Sequence, residues 1–303
     1  MKYSIIDIGT NTSRLAIFEA VEPESPELVY EKNIITRLGE GLHKSGLLSE
    51  AAIDRTLEAM RVFKAEAQKA GSEKIKTVGT AALRDASNAE KFVESADGIG
   101  LSIEILSDEQ EAVLTFEGVV TGLKKLPEKI LAVDVGGGSA EFSYGDPEKL
   151  ISSKSLPIGA VAMTEKFFAN DPPAGTEIEE MEDYVVRQFE SIAEAGIADD
   201  FLCVGTAGTI STLAMMDLGL VEFDPGLVHG HIIKREALDE LTERLMNLDS
   251  MQRRSIPGME SGRADIIHAG ALVFSLLMEN FGIKEIYISL YDLRHGLLGR
   301  MMK

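Results

Sequence analysis

Residues 131–142, LAVDVGGGSAEF, decide how this chain is read. An apolar run ends in Asp134, three glycines and Ser139 make a tight turn, and apolar residues resume around Glu141. That is one strand, a turn and a second strand, with a carboxylate on the way in and another on the way out. The start of the chain repeats the design: residues 3–8 are apolar around Asp7, and Gly9-Thr10-Asn11-Thr12 follows at once. Two Asp-bearing strands, each entering a turn of Gly and small polar residues, point to an internal duplication.

The elements around the two turns recur in similar order. Strand patterns at 3–8, 13–20 and 28–36 predict a meander. Residues 49–70 then place Ile53, Leu57, Met60 and Phe63 at helical spacing between a Ser49 cap and a Gly71 stop. Short strands at 75–79 and 101–106 alternate with helices beginning near Asn88 and Asp108. The order restarts with strands at 130–135, 140–144 and 150–156 and a helix at 177–195 capped by Thr176. A strand at 201–204, a helix near Ile210, helices at 235–246 and 266–281, a strand at 285–289 and a last short helix complete it. At about 150 residues per domain, 303 residues suggest two domains. The pattern predicts an α/β fold with domains at 1–123 and 124–292, divided where Lys124, Lys125 and Pro127 break the periodicity, with 293–303 as a candidate to pack back on the first.

Composition narrows the partners. Fifty acidic against thirty basic residues give a net charge of −20, which disfavours nonspecific binding to nucleic acid or anionic lipid. Any phosphate site must then be local. Cys203 is the single cysteine and lies in an apolar run, so it reads as core in a reducing compartment. The N-terminus carries no targeting pattern, and the longest apolar segment, 266–281, is shorter than the roughly 20 residues a membrane span requires. These features predict a cytoplasmic protein without a membrane partner.

The two turns carry the chemistry. Successive backbone N–H groups in such a turn can cradle phosphate oxygens without a side-chain cation, although each turn alone could be an ordinary hairpin. Carboxylates beside phosphate would repel it unless a hard cation stood between, so Asp7, Asp134 and Glu141 suggest Mg²⁺. Arg84, at a strand end that runs into a turn, could fork onto phosphate oxygens or merely bridge to Asp85 or Glu90. Glu111 is ambiguous on spacing, because Asp108-x-x-Glu111 also reads as a helix capping box. The turn at 205–209, with Gly208 and Thr209, could receive phosphate at a helix N-terminus or simply need its glycines for packing.

Seven segments in order resemble the exopolyphosphatase and guanosine pentaphosphate phosphohydrolase family, in its short two-domain form. They are IDIGTNTSRL at the start, GTAALRDASN from Gly79, SDEQEAVL from Ser107, LAVDVGGGSAEF, SLPIGAVAMTE from Ser155, VGTAGTISTLA from Val204 and IPGMESGRADIIHAG from Ile256. The resemblance implies duplicated actin-like, ribonuclease H-like domains with mixed sheets and an interdomain cleft. It implies Glu111 as the group that prepares the attacking water and Arg84 as the family's arginine. It further implies Gly9, Thr10, Asn11, Thr12, Arg14, Gly136, Gly137, Gly138 and Ser139 as phosphate-loop residues, joined by Gly208 and Thr209. Asp134 and Glu141, with Asp7, become metal positions for Mg²⁺ or Mn²⁺. The expected reaction is release of terminal orthophosphate from polyphosphate or a guanosine polyphosphate, and a homodimer is compatible with it. Two rivals are a sugar or acid kinase of the same superfold and a non-catalytic nucleotide-binding regulator. Asp108, Gln110, Ala162 and 292–296 depart from the family pattern, which bears on substrate preference.

Overall fold

The computed structural model describes residues 1–20, 26–193, 197 and 200–302. Two compact units divide the chain, one formed by Met1–Leu114 with Leu293–Lys303 and the other by Thr115–Asp292.

In the first unit, β1 (Lys2–Ile8), β2 (Thr12–Ala20) and β3 (Pro26–Ile35) form the meander. Then come α1 (Leu42–Ser45), α2 (Glu50–Lys69), β4 (Lys74–Gly79), α3 (Ala81–Asp85), α4 (Ala89–Gly98), β5 (Ile103–Ile105) and α5 (Asp108–Gly122). The sheet order is β3-β2-β1-β4-β5, with β4 parallel to β1 and β5 parallel to β4. Central β1 is apolar on both faces because both are covered. Ile6 and Ile8 pack with Phe63 of α2 and Phe92 of α4, while Tyr3 and Ile5 face a second cluster. Ser49 caps α2 by accepting the Ala52 N–H at 3.2 Å, as its position before the apolar stripe requires. Truncating fully buried Phe63 to Ala would cost about 3–5 kcal/mol.

The second unit contains β6 (Ile130–Val135), β7 (Ala140–Asp146), β8 (Lys149–Leu156), α6 (Ala160–Phe167), α7 (Gly175–Ala193), β9 (Leu202–Thr206) and α8 (Ala207–Asp217). It continues with α9 (Pro225–Val228), β10 (Ile232–Lys234), α10 (Arg235–Met246), α11 (Ser250–Arg253), a 3₁₀ turn at Ser261–Arg263, α12 (Ile267–Asn280) and β11 (Glu285–Ser289). Its sheet order, β10-β11-β9-β6-β7-β8, contains β8-β7-β6-β9-β11, which matches β3-β2-β1-β4-β5 strand for strand and in direction. The antiparallel edge strand β10 is the addition. The chain returns to the first unit as α13 (Leu293–Met302), whose Leu293 and Leu297 complete the cluster around Tyr3 and Ile5.

Three details differ from the sequence pattern. The units divide within α5, between Leu114 and Thr115, rather than near 123, because Leu114 packs in a first-unit cluster while Phe116 and Val119 pack in a second-unit one. α7 starts at Gly175, so Thr176 lies inside it. The Glu177 carboxylate instead accepts the N–H groups of Ala169 and Ala174, and residues 194 and 195 of the predicted helix lie outside the described residues. α12 is buried as expected, and its His268 stacks on Phe168 with ring centroids 5.0 Å apart. Burial, reinforced by nearby Arg253, holds that imidazole down to about 3, so it is neutral and belongs to the core. Burial likewise pushes the Cys203 thiol up to about 12, which leaves it unreactive. Among the described residues no helix is long and apolar enough to cross a membrane.

Candidate active site

In the first unit the chain leaves β1 through a turn that only glycine can open. The Gly9 N–H donates to the Thr12 carbonyl at 3.2 Å, and a Cβ on Gly9 would sit 2.9 Å from that oxygen. The carbonyls of this turn are tied from behind: Asn11 O accepts the N–H groups of Thr36 and Arg37, and Thr10 O accepts that of Gly39. Among the described residues, the N–H groups of Thr10 and Asn11 donate to no carbonyl. With its acceptors consumed, the turn offers donors, which is what an anion cradle needs.

The second unit builds the same turn with different support. Gly136 N–H donates to Ser139 O at 2.9 Å. The first turn of α6 then takes up all three glycine carbonyls: Ala160 N–H donates to Gly136 O, Val161 and Ala162 to Gly137 O, and Gly159 to Gly138 O. A Cβ on Gly159 would lie 2.5 Å from Gly137 and Gly138 backbone atoms, so glycine is obligatory for this approach. Sequence reasoning assigned no such role to 158–162; the one signal was Gly159 before an apolar helical run.

The two hairpins differ in what stands opposite the entering aspartate. Strand register pairs Asp134 with Glu141 but Asp7 with Arg14. Directly opposite residues on an antiparallel pair have Cβ atoms about 4.5–5.5 Å apart. The second unit therefore sets two acids side by side, and the first sets an acid beside a base. Glu141 is 4 % exposed, and its Oε1 accepts the hydroxyls of Ser139 and, at 3.1 Å, Ser155. Two carboxylates close together, Glu141 buried and Asp134 partly so, favour a counter-charge. Mg²⁺ is commonly held by one or two carboxylates with water and substrate phosphate supplying the rest, so the pair fits that ion. Among the described residues no group of three or more His, Cys, Asp or Glu side chains gathers for a metal.

Arg84 and Glu111 are 27 residues apart and meet. Arg84 Nη1 lies 2.5 Å from Glu111 Oε2 and donates to Leu106 O at 3.1 Å, while Nη2 lies 2.5 Å from Asp108 Oδ1. Both Arg84 and Glu111 are largely buried, whereas Asp108 is more than half exposed. The bridge from Arg84 thus goes to Glu111 and Asp108. Asp85, its chain neighbour, is pushed up by burial, with Arg84 opposing the shift and Asp108 adding to it. The capping box at α5 is Ser107 with Gln110: Ser107 Oγ accepts the Gln110 N–H, and Gln110 Oε1 accepts the Ser107 N–H. Glu111 is not needed as a cap.

The turn after β9 is less direct. Thr209 is buried and its hydroxyl donates to Val135 O at 2.5 Å, so what it could offer a phosphate is backbone. Gly208 O accepts the hydroxyls of Ser211 and Thr212. Ala207, which opens α8, has φ +66°, a left-handed backbone in a non-glycine residue.

Comparison with known proteins gives this geometry a context. The family model described as the Ppx/GppA phosphatase family matches residues 17–303. Exopolyphosphatase 2 of Mycobacterium tuberculosis is 30 % identical over 98 % of this chain and 97 % of its own length. A bifunctional 3-dehydroquinate synthase/phosphatase of Fusobacterium nucleatum is 29 % identical over 98 % of this chain, which spans 46 % of that protein. Among solved structures, a crystal structure of the Aquifex aeolicus Ppx/GppA phosphatase superposes with TM-score 0.79 at 30 % identity, covering 100 % of both chains.

Proposed function

This chain belongs to the Ppx/GppA phosphatase family, and we propose that it releases terminal orthophosphate from inorganic polyphosphate or a guanosine polyphosphate. The observation that carries the reading is the buried Arg84–Glu111 pair, which the capping of α5 by Ser107 leaves available for chemistry. A carboxylate fixed by a guanidinium can align water and take its proton as the oxygen attacks phosphorus. The bridging P–O bond then breaks, and the shortened chain leaves with the electron pair. Arg84 can exchange exposed Asp108 for a phosphoryl oxygen while keeping Glu111, which meets charge that grows in the transition state.

The turns at 9–12 and 136–139 supply phosphate donors, with Gly208 and Thr209 contributing backbone. Asp134 and Glu141 would hold Mg²⁺, or Mn²⁺ in its place, and that ion supplies neutralisation of phosphate charge when bound. Asp7, opposite Arg14, is assigned to holding that arginine rather than to the metal.

The test is incubation with Mg²⁺ and either substrate, with no acceptor, while free phosphate is measured. Release without acceptor is expected. Phosphate that moves only to an added alcohol or acid would instead make the chain a kinase. With a net charge of −20, long polyphosphate should be held weakly beyond its end, so gels taken during digestion should show a gradual descent through intermediate lengths.

A further inference from the structure

Arg84 touches two carboxylates that differ in how firmly the fold holds them. Glu111, whose side chain is 12 % exposed, lies 2.5 Å from Nη1, the nitrogen that also donates to Leu106 O. Asp108 lies 2.5 Å from Nη2, and its side chain is 58 % exposed. The Arg84 side chain is itself only 14 % exposed, so of the two acids it is Asp108 that meets water.

The first turn of α5 does not need Asp108 as a cap. Ser107 and Gln110 close the capping box, and Arg84 is the one ion-pair partner of Asp108 among the described residues. The surroundings loosen that pair. The Asp85 carboxyl is pushed up chiefly by burial, which Arg84 opposes and Asp108 reinforces, so a second acid close to Asp108 repels it. An ion pair with one partner in water contributes little, because the freed carboxylate is hydrated again when it leaves. Asp108 is thus an anion resting on a largely buried cation, held weakly enough to be exchanged.

We propose that Asp108 is a specificity-determining residue for the phosphohydrolase reaction: in the free enzyme its carboxylate occupies Arg84 Nη2 in place of a phosphoryl oxygen, and substrate must displace it to bind. This rests on the reading of Arg84 given above and adds what holds that arginine before substrate arrives. A terminal phosphoryl group brings roughly −1.5 to −2 charge and three strong acceptor oxygens, so it wins the exchange. A monoanion no stronger than the aspartate does not. Because the contact stabilises the free enzyme alone, it raises KM and leaves kcat unchanged.

The test compares Asp108→Asn with Glu109→Gln, which removes the same charge from the same helical turn. Glu109 is exposed and makes no ion pair among the described residues. Steady-state release of phosphate from polyphosphate with Mg²⁺ should show KM lowered about 3- to 5-fold in Asp108→Asn with kcat unchanged, the scale of an exposed ion pair. In Glu109→Gln the drop should stay below about 1.5-fold, as for a screened charge without a contact. An equal drop in both variants would mean that only overall charge matters. An unchanged or raised KM in Asp108→Asn would mean that Asp108 orients Arg84 or merely favours the helix N-terminus, and either result overturns the proposal. Titration calorimetry with imidodiphosphate, whose P–N–P bridge is not cleaved, separates this inference from the reading it rests on. If the wild-type chain binds imidodiphosphate but hydrolyses no polyphosphate, tighter binding by Asp108→Asn than by Glu109→Gln still supports the exchange at Arg84, and equal binding refutes it. Neither binding nor hydrolysis in any of the three chains refutes both.

Discussion

The β1/β2 and β6/β7 hairpins share their backbone and differ in one opposed pair. In both, a glycine N–H closes the turn on the carbonyl three residues later, and an aspartate enters one residue before the end of the first strand. Opposite that aspartate stands Arg14 in the first unit and Glu141 in the second. The first hairpin therefore sets an acid opposite a base, and the second sets two acids opposite one another, the pair proposed above to hold Mg²⁺. In a duplicated scaffold, a single opposed position thus separates an acid–base pair from an acid–acid pair.

The support behind each turn differs in the same sense. The first is backed by a loop with Arg37 and Arg55 close by, the second by the uncharged opening of α6, residues 159–162. Both supports consume the carbonyls of the turn, so both leave donors to a ligand. The charge of the two supports differs, basic behind the first turn and none behind the second.

Breaking the acidic pair should have the largest effect. Glu141→Ala is expected to lower turnover by about 1000-fold and to abolish the saturable dependence on Mg²⁺, the scale of several kcal/mol expected when a metal is lost. Asp7→Asn, on the balanced side, should leave the midpoint of the Mg²⁺ titration where it is. Equal shifts of that midpoint in the two variants would erase the proposed distinction between the hairpins.

Glu111→Gln comes next, with turnover falling about 100-fold or more, as for loss of a general base, and the melting temperature little changed. Ser107→Ala supplies the contrast: it should destabilise the fold by about 1 kcal/mol and change turnover far less, because the cap resides there. If Ser107→Ala and Glu111→Gln exchanged these effects, Glu111 would be structural after all.

The smallest effect compares the second pair of equivalent turns. Val78-Gly79-Thr80-Ala81 at the end of β4 and Val204-Gly205-Thr206-Ala207 at the end of β9 are the same tetrapeptide. Yet Ala81 begins a helix with ordinary backbone, whereas Ala207 has φ +66°. Replacement by glycine should act with opposite signs: Ala81→Gly destabilises by about 0.5–1 kcal/mol, and Ala207→Gly stabilises by a similar amount. Chemical denaturation of both variants measures this, and two changes of the same sign would mean that the two turns are not strained differently.

Much of the architecture was legible before any coordinate. Apolar periodicity and turn residues located the strands of both meanders, and β6, α10 and β11 match their predicted bounds, because these elements are set by local pattern and burial. The duplication itself stood in the paired openings. Even the opposed pairs left a trace, since Arg14 follows Gly9 by the five residues that separate Gly136 from Glu141. A hairpin with a fixed turn has a fixed register.

Other features belong to the tertiary structure alone. No spacing reveals that Arg84 reaches Glu111, because their approach depends on the end of β4 and the start of α5 being brought together by the sheet. The spacing suggested Asp108-x-x-Glu111 as the capping box, but Ser107-x-x-Gln110 fits the same pattern one residue earlier, and only the hydrogen bonds select it. The division of the units within α5 was hidden for a similar reason: a continuous helix carries no break in its own sequence, and its allegiance changes only because Leu114 and Phe116 find different cores. Sequence determined what is local in the chain, namely the elements, the turns and the residue types at them. Folding decided which distant charges face one another, and the chemistry proposed for this protein rests on those encounters.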